Sequence, residues 1–264
     1  MSNRVARATW AAAWCGALLG LVLAWGIWAP ARWLAWGLAQ ASQGQVQWHD
    51  ARGTLWSGSA RVVLTGGAQS RDAQALPGRL QWQITPRWDG LHIAWQANCC
   101  MTEAASLQIQ AGWARWHAQL SDHTAIWPAA LLSGLGAPWN TLQPEGQLQL
   151  RTQALQLHWA QGRIQMQGQA ELRLQNLSSR LSTLQPIGTY LLHVRGTPEG
   201  TPTPSLQLSS EKGPLLLTGQ GQWVGARWRF TGEASAEEGS ESPLNNLLNI
   251  IGRRQGGKSL LSLG

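Results

Sequence analysis

The sequence predicts a mainly β protein, with a single N-terminal transmembrane helix followed by a curved antiparallel β-sheet body. Three observations lead to this fold class. An uncharged run extends from residue 8 to residue 31. Apolar and polar residues alternate with period two through much of the remaining chain, as they do in strands that bury one face. Glycine and proline interrupt that alternation repeatedly, as turns between strands do.

The uncharged run is long enough to span a bilayer. At ~1.5 Å per residue, residues 8–31 cover the ~30 Å hydrocarbon layer. Arg4 and Arg7 precede the run and Arg32 alone follows closely, which predicts a cytoplasmic N-terminus. Tryptophans cluster where the helix would leave the bilayer, at Trp25, Trp28, Trp33 and Trp36. We therefore predict an uncleaved anchor; the alternative is a signal peptide cleaved after Ala31.

Half-buried antiparallel strands account for the alternating segments. In these segments Leu, Ile, Trp or Met alternates with Gln, Arg or Glu, and the clearest examples are residues 79–84, 91–96, 147–151 and 163–174. The separating turns are rich in Gly and Pro, at residues 76–78, 89–90, 144–146, 161–162 and 197–204.

Two segments break the alternation and are predicted to be helices. The first is residues 122–135, in which apolar residues recur at mixed spacings of three and four. The second is residues 242–252, with Ser242 as the N-cap and Gly252 as the C-terminal stop. Its apolar stripe is Leu244, Leu247, Leu248 and Ile251.

The exported part is predicted to contain two similar strand-rich units, each ending in a short helix. Residues 53–62 align with residues 162–171, and residues 113–116 with residues 225–228. We predict this division of the chain: a cytoplasmic tail at 1–7, the transmembrane helix at 8–31, an exported β-rich domain at 40–264, its two units at about 48–142 and 143–254, and a short C-terminal tail at 255–264. A sheet that is apolar on one face needs a second layer, helices, a partner or lipid to cover it.

Charge and cysteine content narrow the function classes. The net charge is +7, but the arginines are scattered singly, so no nucleic-acid partner is predicted. Attraction to anionic lipid headgroups is one use of this charge, and solvation of strand faces is another. Cys15 lies in the uncharged run, and Cys99 and Cys100 are adjacent in the exported part. Those two are a vicinal disulfide, intermolecular partners or two buried thiols.

No catalytic, cofactor-binding or metal-binding residues are predicted, and the chain is predicted not to be an enzyme. Five features come nearest to a catalytic or phosphate-binding motif. They are two His–carboxylate neighbours, two serines beside glycines and one glycine pair: His49–Asp50, Asp122–His123, Ser57, Ser133 and Gly219–Gly221. Neighbours in a strand or loop point apart, the serines lack a nucleophile elbow, and the glycine pair lies inside a strand pattern without a following helix. An exported hydrolase therefore has little support.

An ordered set of segments resembles the type II secretion system protein N family (general secretion pathway protein N). The set begins with Gly53-Thr-Leu-Trp-Ser-Gly58 and continues through residues 76–82, 132–142, 184–190, 212–221 and 247–254. Residues 188–190 read Gly-Thr-Tyr where the family pattern leads us to expect Gly-Asp-Tyr, which removes a potential acidic contact.

The resemblance implies an accessory inner-membrane component of the type II secretion system. Such a protein is single-pass, with a cytoplasmic N-terminus and a periplasmic β-domain that supports assembly or export across the outer membrane. Its expected partners are other inner-membrane or periplasmic components of the machine, and the resemblance implies no catalytic residues. A different class of function stays open: an AsmA-like periplasmic groove that binds or transfers lipid, for which lipid is the partner.

Overall fold

One antiparallel sheet of 16 strands forms the body of the protein. The computed structural model describes residues 13–14, 16–17, 20–21, 24–67, 69–113, 115–160, 163–196, 204–224 and 227–263. The strands are β1 Val46–Gly53, β2 Ser57–Thr65, β3 Ala73–Ala75, β4 Leu80–Arg87, β5 Gly90–Ala97, β6 Ala105–Gly112, β7 Arg115–Leu120, β8 His123–Pro128, β9 Glu145–Ala160, β10 Arg163–Ser178, β11 Gly188–Arg195, β12 Ser205–Lys212, β13 Leu215–Val224, β14 Arg227–Ala236, β15 Arg253–Gln255 and β16 Lys258–Leu263.

Strand order follows chain order almost throughout the sheet. The path is β1-β2-β4-β5-β6-β7-β9-β10-β11-β12-β13-β14-β16-β15, with β3 paired to β2 and β8 paired to β9. Strands from both predicted units therefore belong to the same sheet. The prediction of a mainly β, antiparallel fold is confirmed.

Short helices lie beside the sheet. They are α1 Ala31–Ala41, a 3₁₀ helix Ala129–Leu135, α2 Trp139–Leu142 and α3 Glu241–Ile251. Because neighbouring strands alternate in direction, their connections fall at two ends of the sheet. The end that carries the β1–β2, β4–β5 and β6–β7 turns is called the hairpin end. The opposite end, which carries the 3₁₀ helix, α2 and α3, is called the helix end.

Bulges keep the apolar side chains on one face of the sheet. Between the pairs Gln156–Gln167 and Gln153–Gln169, β9 advances one residue more than β10. The extra residue lies beside Ala154, whose φ is 46°. Because side chains alternate with period two, one extra residue changes the face on which the following side chains lie. Leu150 and Leu157 thereby pair with apolar residues of β10 on one common face, called here the apolar face.

The densest core lies at the helix end, beneath α3. Leu244, Leu247 and Leu248 are almost completely buried and pack against Tyr190 of β11 and Leu215 of β13. The Tyr190 hydroxyl lies 3.0 Å from the Leu215 carbonyl oxygen and 3.1 Å from that of Ile187, so it can donate to either. Burial raises the pKa of the Tyr190 phenol and keeps it a donor.

The predicted helix at residues 122–135 is wrong in its first half. Residues 123–128 form β8, which pairs with β9 from His123–Thr152 to Pro128–Gln147. Mixed spacing of apolar residues suggested a helix, but the exposed edge of β9 supplies backbone hydrogen bonds that override this local preference. Pro128 then ends the strand, and the 3₁₀ helix occupies Ala129–Leu135.

The second predicted helix is confirmed within one residue, but its cap differs. The helix begins at Glu241, Ser240 takes the N-cap position without a side-chain capping bond, and Gly252 follows the last turn. The predicted apolar stripe is the buried side of α3. Within the segment predicted as a short C-terminal tail, Lys258–Leu263 forms β16, which pairs with β14.

The predicted transmembrane helix at residues 8–31 lies partly outside the described residues. Residues 24–27 of the run are helical, Ala29 and Pro30 are not, and Ala31 already begins α1. Proline disfavours helix in the residue before it, which explains the break. Among the residues described, no helix is both long and apolar enough to cross a bilayer.

The buried side of α3 predicts a contrast between two aliphatic truncations in one helix. Leu248→Ala should lower the free energy of unfolding by about 2–5 kcal/mol, since Leu248 is 0% exposed and its loss leaves a cavity. Ile250→Ala is the matched control, because Ile250 is 45% exposed and should change stability by less than about 1 kcal/mol. Denaturant unfolding of the full chain measures both, and equal losses would contradict this packing.

Candidate functional site

The N-terminal segment meets the sheet at the hairpin end, beside a buried cluster of Ala31, Ala60 and Trp82. We call this region the junction, defined as residues 26–31 together with the β1–β2 turn at residues 54–58. The Leu55 N–H donates to the Ala29 carbonyl at 2.7 Å, and Pro30 forms an isolated β-bridge with Thr54. The Trp56 indole N–H donates to the Gly26 carbonyl at 2.8 Å. The N-terminal segment is thus fixed to the sheet by backbone and side-chain hydrogen bonds.

Glycine lets the β1–β2 turn lie close to the aromatic core. Gly58 pairs directly with Trp82 of β4, and a Cβ at Gly58 would lie 2.5 Å from the Trp82 ring. The Trp82 indole N–H donates to the Leu55 carbonyl at 3.0 Å, so the ring is held over the turn. Trp82 also packs against Trp48, with 4.7 Å between ring centroids. A larger residue at position 58 would displace this arrangement.

An arginine ties the bulge in β1 to the neighbouring strands. Asp50 has a φ of 50° at a point where the β1–β2 register shifts. The Arg79 guanidinium donates to the Asp50 carboxylate at 2.7 Å and to the Ser59 carbonyl at 3.0 Å. Hydrogen bonds from Arg79 and then Arg52 hold the pKa of the Asp50 carboxyl below its usual range. The ion pair is exposed, so its main effect is to fix geometry.

Tryptophans are exposed on both sides of the junction. Trp25 and Trp28 of the N-terminal segment are 63% and 78% exposed, and Trp36 of α1 is 68% exposed. These are members of the aromatic cluster found in the sequence. Their exposure offers indole surface for a membrane interface or a partner.

Much of the apolar face toward the hairpin end has no helix over it. Cross-strand pairs such as Ile93–Leu107 and Leu157–Met166 lie on this face and are half-buried. α3 packs at the helix end instead, and α1 covers only the part of the sheet near Trp48 and Trp82. This uncovered part of the apolar face can accept an apolar ligand or partner chain.

Two open cavities lie elsewhere on the sheet. One, of about 540 Å³, lies over polar side chains of β2, β4 and β5, including Ser57, Gln81 and Gln96. The other, of about 530 Å³, lies beside the turn that contains Cys99 and Cys100. These two cysteines form a vicinal disulfide, which selects one of the three alternatives left open by the sequence.

The two His–carboxylate neighbours have separate partners. His49 Nε2 lies 3.1 Å from the Gln47 side-chain oxygen, whereas Asp50 pairs with arginines. Asp122 accepts from the Ala154 N–H, and His123 Nδ1 lies 2.8 Å from the Thr152 hydroxyl. Neither neighbour pair is brought together as an acid–base dyad.

The other motif candidates have structural roles. Ser57 begins β2, where its N–H donates to the Thr54 hydroxyl, and Ser133 lies in the 3₁₀ helix. Gly219 and Gly221 lie inside β13, as the strand pattern predicts. A Cβ at either glycine would collide with an aromatic ring of β14.

One histidine pair was missed by sequence reasoning. His117 of β7 and His158 of β9 are cross-strand partners, with 3.1 Å between their Nδ1 atoms. Burial and the neighbouring His158 lower the pKa of His117. The residues are far apart in sequence, so only the register of β7 on β9 reveals the pair. Within the described part of the chain, no three His, Cys, Asp or Glu side chains group as a metal site would require.

The ring over Gly58 predicts opposite effects for two Gly→Ala substitutions. Gly58→Ala should lower the midpoint of thermal unfolding, since the new methyl group collides with Trp82 and with backbone. Overpacking of this kind costs roughly 1–3 kcal/mol. Gly37→Ala is the control: Gly37 lies in α1 with open space at its Cβ position, and alanine favours helix by up to ~1 kcal/mol. Calorimetry of the full chain in detergent measures both, and a Gly58→Ala protein as stable as wild type would contradict the packing.

The arginine contacts predict the titration of Asp50. Because its folded-state pKa is lowered, the charged carboxylate stabilises the fold above its unfolded pKa, and this contribution disappears as pH falls through the folded pKa. Arg79→Gln should raise the Asp50 pKa toward its usual range, and Arg52→Gln should raise it less. Carboxyl NMR of ¹³C-aspartate-labelled protein can resolve this residue, since the chain has four aspartates. A larger effect from Arg52→Gln would reverse the assigned order of causes.

Comparison with known proteins gives one family. The model of the family described as type II secretion system (T2SS), protein N matches residues 44–260. No curated protein and no solved structure matches the chain. The match covers most of the sheet, including β2 of the junction and the core beneath α3. The chain therefore belongs to the type II secretion system protein N family.

Proposed function

We propose that this type II secretion component is an accessory inner-membrane protein that acts through binding and placement, without catalysis. In this proposal residues 1–7 are cytoplasmic, residues 8–31 span the membrane and residues 40–264 lie in the periplasm. The observation that carries the assignment to the machine is the family match over residues 44–260. The uncharged run supports the anchor, because its length suits a bilayer.

The junction supports a placing role for the sheet. Three contacts bind the N-terminal segment to the β1–β2 turn, at Ala29, Pro30 and Gly26. A helix connected by a flexible linker would leave the sheet free to reorient, whereas these contacts fix its direction relative to the anchor. A component with fixed orientation can present one edge to neighbouring components of the machine.

The outer edge of β1 is the surface that we propose for those neighbours. β1 and β15 are the outermost strands of the sheet path. β15 has three residues, whereas β1 has eight, and an outer strand offers unpaired backbone groups to an added strand. His49 and Arg52 on β1 are exposed.

Site-specific photo-crosslinking tests this proposal in cells that make the whole secretion machine. A benzophenone amino acid in place of His49 should give adducts with another secretion component, identified by mass spectrometry. The same residue in place of Gln207, exposed in the middle of the sheet on β12, is the matched control and should give fewer adducts.

Fractionation of the same cells tests the anchor, since the chain should remain with inner membranes after alkaline washing. A chain recovered in the soluble periplasm, or one without adducts to the machine, would contradict the proposal.

Lipid binding is a second candidate, favoured by the uncovered apolar face. Leu172 of β10 lies in the middle of that face between Leu150 and Leu192, and its neighbour Glu171 points to the opposite face. A benzophenone in place of Leu172 should then capture phospholipid, whereas the same group in place of Glu171 should not. Equal capture at both positions would remove the support for a lipid groove.

A further inference from the structure

Two hairpin tips carry tryptophans that are almost completely exposed. Trp88 is 97% exposed in the β4–β5 turn, and Trp113 is 99% exposed in the β6–β7 turn. Exposed residues around them include Arg87 and Arg115, together with the apolar residues Pro86, Leu91 and Ala111. The two indoles project from separate hairpin tips, and an exposed arginine of the adjoining strand lies beside each of them.

Both tips lie at the hairpin end, the same end as the junction. β2 begins at Ser57 beside the junction and runs antiparallel to β4, so the start of β2 and the end of β4 share one end of the sheet. The pairs Arg87–Gly90 and Gly112–Arg115 close the β4–β5 and β6–β7 hairpins at that end. The two exposed indoles thus lie at the same end of the sheet as Trp25 and Trp28 of the N-terminal segment.

The strand register sets how far each tip extends. Ser57 pairs with Gln83, and β4 continues for four more residues, which is ~13 Å at about 3.3 Å per residue. Gly90 pairs with Gln110, so Trp113 is three residues further, or ~10 Å. Along the strand direction, the Trp88 tip therefore extends beyond the junction, and the Trp113 tip extends further still. A plane through the junction and the two tips meets the strands obliquely.

We propose that the Trp88 and Trp113 tips rest in the headgroup region of the bilayer that holds the N-terminal helix. This inference depends on the proposed anchor and adds a second, peripheral contact between the sheet and the same membrane. Indole rings favour the membrane–water interface, where the apolar ring and the N–H group are both accommodated. Arg87 and Arg115 supply guanidinium groups to anionic headgroups, opposed by the single carboxylate of Asp89.

A bilayer is favoured over a protein partner by the distribution of these side chains. A protein partner needs a continuous complementary surface, whereas a bilayer accepts separate anchoring residues along an oblique line. Trp25 and Trp28, the exposed tryptophans of the N-terminal segment, lie at the same end as the two tips. A contact of this kind orients the whole sheet relative to the membrane plane.

Fluorescent labels beside the tips test the proposal in the full chain. Asp89→Cys and Gly112→Cys place a thiol next to each tryptophan in a Cys15→Ser background, and the Cys99–Cys100 disulfide does not react with alkylating probes. The labelled chains are reconstituted into vesicles of phosphatidylethanolamine and phosphatidylglycerol at a 7:3 ratio. An NBD label should show blue-shifted emission at both positions, with strong quenching by headgroup-region nitroxide lipids. Glu238→Cys, exposed in the turn before α3 at the helix end, should show neither effect.

A second set of variants isolates the contribution of the indoles. Trp88→Ser with Trp113→Ser should at least halve the quenching of both labels while leaving the midpoint of thermal unfolding unchanged, because both rings are exposed. Flotation of the same samples separates the two proposals. A chain that does not float with vesicles overturns the anchor and the tip contact together. A chain that floats while the tip labels behave like the Glu238→Cys label overturns the tip contact alone.

Discussion

Every other feature of the molecule depends on a hydrogen-bond ladder that keeps one face of a 16-stranded sheet apolar. A single uncorrected one-residue slip would move each later apolar side chain to the polar face. The sheet contains such a one-residue insertion at Ala154 of β9, and both neighbours accommodate it. β10 opposes it with Gly168, whose φ is 81°, and Asp122 between β7 and β8 accepts a hydrogen bond from the Ala154 N–H. The bulge therefore preserves the amphipathic pattern across several strands.

The two ends of the sheet have different physical characters. At the helix end, α3 covers the apolar face with leucines and supplies the largest contiguous core. At the hairpin end, the N-terminal segment is fixed by hydrogen bonds, and tryptophans remain exposed. The largest buried cluster thus lies at one end, and the most exposed tryptophans lie at the other. This division is consistent with a component whose function is to bind and to be positioned.

The predictions from sequence were accurate where the interactions are local. Period-two alternation identified strands such as β4 and β10, and a stripe of leucines identified α3. Residues 122–135 were partly misassigned because the choice of strand there depends on β9, which comes later in the chain. The junction could not be predicted from composition, since its contacts join residues 26–30 to residues 54–56.

Side-chain pairs between strands were the least accessible to sequence reasoning. The Asp50–Arg79 ion pair and the His117–His158 pair each require the register of strands that are distant in sequence. Neither has a spacing motif. The exposure of Trp88 and Trp113 was also hidden, because tryptophan in a β-rich sequence is more often a core residue.

The near-sequential order of the strands has a consequence for how the protein is made. Apart from β3, β8 and the terminal β15–β16 hairpin, each strand pairs with those that precede and follow it along the chain. Such pairing requires only short loop closures, which carry a small entropic cost. Each strand pair can therefore form early in folding. A chain emerging from its N-terminus can therefore add each strand to an edge already formed by the previous one. The sheet can grow in the order of synthesis, with α3 and β16 completing the core after the last long strand has emerged.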